Sequence, residues 1–198
     1  NDYIDIGNQT ELGLTSGDAT ICVWLKINSG WTGGDIYPNV ISKGATAGWD
    51  TIGWSIFCFR PSSGSSTVGF GQKSSGGAQY VTTTITVDVW HLIVATRDTN
   101  IKIYSDGDMD ATASRTVYAE ANSTSVYIGR DTARFFNGKI SDVKIFDVAF
   151  SADQIVELYR NPNTIIPDSV SASSLIGWWP LMEGSGTKAY DGSGNENH

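Results

Sequence analysis

The sequence predicts an all-β protein: a two-sheet antiparallel jelly-roll sandwich with one short helix near residues 152–160. Three observations point that way. Short runs of alternating apolar and polar residues recur along the chain, and Gly- or Ser-rich turns separate them every 8–12 residues or so. Hydrophobic residues make up 40% of the 198 residues and charged residues only 17%, enough apolar material for a core.

Each element has its own signal. Residues 20–27 (TICVWLKI) place Ile21, Val23 and Leu25 on one face and Cys22 and Trp24 on the other. Further runs follow at 54–59, from Val68 through Phe70, and at 79–87, 90–96, 101–104, 125–128 and 139–146. Turns are expected at 29–34, 62–66, 74–77 and 106–107. Residues 151–161 (SADQIVELYRN) break the pattern, with Ile155, Leu158 and Tyr159 at helical spacing. Ser151 and Gln154 form a capping box, Asp153 suits the positive helix end, and Pro162 lies just past the stop. Such a helix is expected to lid one end or edge of the sandwich. Residues 161–174 read as a linker, and a strand-like start at Leu175 leads into a polar, Gly-rich tail.

Thirteen Lys and Arg against 21 Asp and Glu give a net charge of −8. That balance argues against nucleic acid and anionic membrane as partners. No apolar run has the length of a spanning helix, so membrane insertion is not expected. The chain starts at Asn1 without a leader-like stretch, as expected of a processed product or a piece of something longer. Cys22 and Cys58 allow at most one disulfide, and free buried thiols are the alternative. The composition is that of an extracellular or particle-surface β protein.

Several stretches in order resemble the laminin-G-like branch of the concanavalin A-like lectin/glucanase superfamily. They are NDYIDIGN at the start, ATICVWLK from Ala19, NVISKG from Asn39, GWSIFCF from Gly53, WHLIVATRD from Trp90 and IKIYSDG from Ile101. The strongest is VYIGRD…FFNGKISDVKIFDVAFSADQIVELY, from Val126 to Tyr159. The resemblance implies one jelly roll over residues 1–160. It also implies an oddity: in such domains a segment like LIGWWPLMEGSGTKAYDGSGNENH opens the domain, whereas here residues 175–198 close the chain. That segment is expected to fold back as a permuted strand, to belong to a next repeat, or to be donated to a neighbour, because an unpaired edge is unfavourable in water.

Glucanases of the superfamily use carboxylates spaced two apart on one strand. Glu11, Glu120, Glu157, Glu183 and Glu196 have no strand-borne acidic partner at that spacing, and His91 and His198 are the only histidines. The chain is therefore read as non-catalytic. Asp106, Asp108 and Asp110 in SDGDMD suit a hairpin turn better than a calcium loop. Related folds often carry a structural Ca2+ near a segment like DGSGNENH, so Asp191, Asn195 and Asn197, with Asp142, are candidate metal ligands; a solvated polar tail is the alternative.

Sugars present apolar faces rimmed by hydroxyls, so binding them calls for aromatic rings beside polar groups. Trp31, Tyr37 and Trp49 lie in Gly-rich loop sequence, with Asp35 and Asp50 beside them, whereas Trp24, Trp54 and Trp90 sit in strands and read as core. The loop tryptophans either form a sugar platform or close the sandwich ends. The function expected is an extracellular recognition or adhesion module for carbohydrate or a glycosylated surface. Its rival is a structural subunit of a fibre, sheath or virion surface, self-associating head-to-tail through residues 175–198.

Overall fold

The computed structural model describes residues 2–31, 37–44, 52–131, 134–185 and 187–197. Among them, two six-stranded antiparallel sheets form the expected all-β sandwich. The first sheet has the order β1 (Ile4–Gly7), β10 (Val126–Ile128), β3 (Asn39–Lys43), β4 (Gly53–Cys58), β5 (Ser65–Ser74) and β6 (Gly77–Thr86). The second runs β12 (Leu175–Trp179), β11 (Gly138–Phe146), β2 (Ala19–Ile27), β7 (His91–Arg97), β8 (Asn100–Ser105) and β9 (Asp108–Ser114).

Side-chain alternation fills the space between the sheets. Ile21, Val23, Leu25 and Ile27 of β2 meet Trp54, Ile56 and Phe70 of the facing sheet in one core. Trp54 is fully buried and donates its indole N–H to Leu12 O at 2.9 Å, so its one polar atom is satisfied. The β8–β9 turn has Asp106 and Gly107 both at positive φ (54° and 95°), the backbone of a two-residue hairpin with the right strand twist. Asp106 caps that turn by accepting from Leu92 N–H and pairing with His91, which gives His91 a structural place.

The helix α1 (Ala152–Arg160) carries both capping-box hydrogen bonds, Ser151 with Gln154. It does not lid an end or edge as expected. Ile155 and Leu158 instead lie on the outer face of the second sheet, against Cys22, Leu92, Val94, Tyr104 and Phe146, because that face is itself apolar there. Residues 161–174 continue the cover, with Ile166 and Val170 packed on the same cluster. β12 pairs with β11 of its own chain as the edge of the second sheet. Cys22 faces the helix side and Cys58, on the other sheet, faces the core; both are free. Burial pushes the Cys22 thiol up to about 12 and raises Cys58 further.

Candidate functional site: a tryptophan-lined groove on the second sheet

The helix and its following segment cover only part of the outer face. Beside it lies a groove of about 560 Å³ lined by Trp24, Trp90 and Trp178. Pro162, Asn163 and Ile165 of the segment after α1, and Pro180 and Met182 after β12, also line it. The volume lies in the range of small-molecule sites.

Strand parity aims the indoles. On β2, Trp24 points away from the core because Val23 and Leu25 point into it. Its ring stacks on Tyr159 of α1, with centroids 6.2 Å apart. On β12, Trp179 enters the core and donates to Asn197 O, so its neighbour Trp178 faces out. Trp90 was expected in the core, but β7 starts only at His91, and the turn before it leaves Trp90 41% exposed.

Between these rings, β11 carries a bulge: Ser141 pairs with Trp24 and Lys144 with Cys22, so Asp142 and Val143 together face one residue. Asp142 sits there at φ 51°. Its carboxylate accepts from Trp178 Nε1 at 2.8 Å and from Lys144 Nζ at 2.6 Å. Lys144 also donates to Thr164 O at 2.9 Å, and its side chain is only 4% exposed. The groove thus holds one ion pair, closed on itself, beneath three indoles.

A clasp behind β12 holds Trp178. Asp191 Oδ1 accepts from the main-chain N–H of Trp178 and of Ser193, and Oδ2 from Ser193 Oγ and Asn197 N–H, at 2.8–3.0 Å. The Asn195 side chain donates to Leu175 O and Ile176 O, and that of Asn197 to Ile176 O. Gly192 lies flat against the Trp178 ring, where a Cβ would come within 2.4 Å of it.

The residues expected to hold a metal are therefore brought together, two of them through Trp178: Asp142 takes its indole N–H and Asp191 its main-chain N–H. As arranged, their oxygens face N–H and O–H donors, and the two asparagines present N–H groups to carbonyls. Among the described residues no cluster of three or more His, Cys, Asp or Glu side chains is placed to hold an ion.

The expected sugar platform is only partly in view. Trp31 is 5% exposed and packs in the main core, so its ring closes the sandwich and offers no open face. Tyr37 is half-buried on the side of the first sheet, its ring edge-on to Phe59 at 4.9 Å and remote in the fold from the groove. Asp35, Trp49 and Asp50 lie outside the described residues. The sequence reading placed Trp24 and Trp90 in the core and singled out neither Trp178 nor Lys144, all four of which line this groove. The adjacent pair Trp178–Trp179 was a usable signal, since neighbours on a strand face opposite ways.

Fold and groove together define a lectin-like sandwich. The sequence matches a family model of the concanavalin A-like lectin/glucanase superfamily, the third laminin-G family, over residues 1–156, and the chain belongs to that family. No curated protein matches the sequence significantly. Among solved structures, the chain is similar to the binding domain of Paraclostridial Mosquitocidal Protein 1 (16% identity, TM-score 0.63, 79% of this chain and 40% of that one). It is similar to the receptor binding domain of botulinum neurotoxin D at 15% identity and TM-score 0.59, covering 81% of this chain and 41% of that one. A third similar structure is the CBM40 module of the Ruminococcus gnavus IT-sialidase bound to alpha2,3 sialyllactose. It shows 16% identity and TM-score 0.58, over 72% of this chain and 83% of that one. The chain spans about two fifths of the toxin chains it matches. These likenesses establish the fold.

Proposed function

We propose that this chain is a non-catalytic carbohydrate-binding module, working outside the cell or on a surface, and that its sugar site is the groove of Trp24, Trp90 and Trp178. The observation that carries the reading is three indoles from three separate strands or turns sharing one open concavity. Aromatic faces stack on the C–H faces of sugar rings, and Ser141 and Asn163 at the groove supply polar partners for hydroxyls. Among the described residues the groove lining contains one carboxylate, Asp142, whereas glycoside hydrolysis uses two. The similar sialidase module, itself a binding domain, supports the general reading.

The test is glycan binding by the intact chain and by Trp90→Ala. Trp90 is exposed, so its loss leaves the melting temperature within a few degrees. Binding is expected to weaken by about tenfold or more, the value of one stacked ring at about 1.5 kcal/mol. Glycan binding that is unaffected by Trp90→Ala would move the site elsewhere, with Tyr37 and the loops beside it the next place to look.

A further inference from the structure

Resting on that reading, we infer that the groove takes an acidic oligosaccharide, and that Lys26 and Lys139 hold the carboxylate or sulfate of a sugar stacked beside them.

The placement follows from register. On β2, Lys26 lies two positions past Trp24 and shares its outward face, about 7 Å along the strand. Lys139 of β11 pairs directly with Lys26, and Ser141 pairs with Trp24, so all four side chains face the same way. On the other side of β2, Leu92 pairs with Trp24 and His91 with Leu25, which brings Trp90, the residue before His91, alongside Lys26. Two cations therefore stand next to Trp24, Trp90 and Ser141, which line the groove.

The charges point to an anion. Residues directly opposite on antiparallel strands have Cβ atoms about 5 Å apart, and like charges there repel. Lys43, Lys102 and Lys144 are bonded to Asn8, Asp98 and Asp142. Among the described residues, Lys26 and Lys139 have no such bond. Asp88 feels the Lys26 charge, but its carboxylate accepts from Ser29 N–H at 3.0 Å, and bonds from Ser29 are the main cause holding it below its ordinary value. Lys139 is exposed and Lys26 half-buried, on flexible four-carbon stems. An acid group on a ring stacked on Trp24 or Trp90 comes between the two ammonium groups and relieves their repulsion, whereas a neutral sugar leaves it in place. The net charge of −8 opposes an anion at a distance, but salt at 0.1 M screens that field beyond about 10 Å and leaves the local pair to decide.

The experiment is calorimetric titration of the intact chain with neutral, uronic-acid and sulfated oligosaccharides of matched length. At low salt an acidic chain is expected to bind about tenfold or more tighter than the neutral one, with the gap narrowing as salt is added. A preference for either acid supports the inference and names the group held. Lys26→Gln with Lys139→Gln should close the gap while the neutral affinity and the melting temperature hold, and the exposed Lys139→Gln alone should already narrow it. Neutral chains binding as tightly as both acidic ones, or an acid preference that survives the double substitution, would overturn the inference while leaving the carbohydrate reading intact. A short single-stranded DNA bound as tightly as the acidic sugars would overturn it too, since charge alone would then account for the preference. Failure of every carbohydrate would overturn the reading beneath it.

Discussion

Replacing Asp191 by Ala should loosen the C-terminal clasp, and the size of the effect can be worked from its contacts. Asp191 is 7% exposed and accepts from the main-chain N–H of Trp178 within β12 and of Asn197 in the tail, besides both donors of Ser193. Hydrogen bonds to a charged group contribute about 1.5–3 kcal/mol each, and buried donors left bare cost about as much. The Ser193 groups can turn to water, so the two main-chain donors dominate and the loss should be about 3–5 kcal/mol. For a domain of this size each kcal/mol moves the melting temperature by about 2–4 °C, giving a fall of roughly 6–20 °C. Ser193→Ala, which removes one of the four bonds, should cost about 1 kcal/mol. Urea unfolding followed by tryptophan fluorescence measures both, because Trp178 and Trp179 report directly on this edge. A loss below about 1 kcal/mol for Asp191→Ala would show that the clasp does not hold β12 in place.

Further expectations concern thiols, acid and calcium. Both cysteines are buried with raised pKa values, so a thiol reagent at pH 8 should label neither in the native protein and both in urea; rapid native labelling would contradict the burial of Cys22 and Cys58. Burial raises the Asp98 carboxyl, but hydrogen bonds from Lys102 and from Asn100 N–H, with the charges of Lys102 and Arg115, outweigh it and hold the group below its ordinary value. A depressed carboxylate contributes stability above the unfolded pKa of about 3.9 and loses it as pH falls through the folded value. The stability gap between the unaltered protein and Asp98→Asn should thus be full at pH 6 and close below about pH 4; a gap that persists at pH 2 would refute this. Since the Asp191 oxygens already accept four protein donors, adding calcium or a chelator should leave the melting temperature unchanged, and a rise of several degrees with calcium would overturn that.

Local chemistry made much of the fold legible. The alternation in residues 20–27 marks β2 and its two faces, and Ser151 with Gln154 starts the helix, since both signals act over a few residues. β1 and β3 are short and were visible only as family-like stretches, and β9 follows its Asp106–Gly107 turn without a strong apolar alternation of its own. Of the candidate site, burial was the hardest part to read from sequence. Loop placement suggested exposure for Trp31, which the core swallows, and strand placement suggested burial for Trp90, which a turn leaves outside.

By itself the sequence determined the class of fold, the helix and its cap, and the hairpin turn, and adjacency on a strand requires Trp178 and Trp179 to face opposite ways. Only the tertiary structure decided which of them goes inside, because that depends on the register of β12 against β11, more than thirty residues away in the chain. It also decided how much of the outer face α1 covers, and so where the groove opens. A site assembled from β2, β7, β11 and β12 exists only once hydrogen bonding has set those strands side by side, and no local signal in any one of them encodes its neighbours.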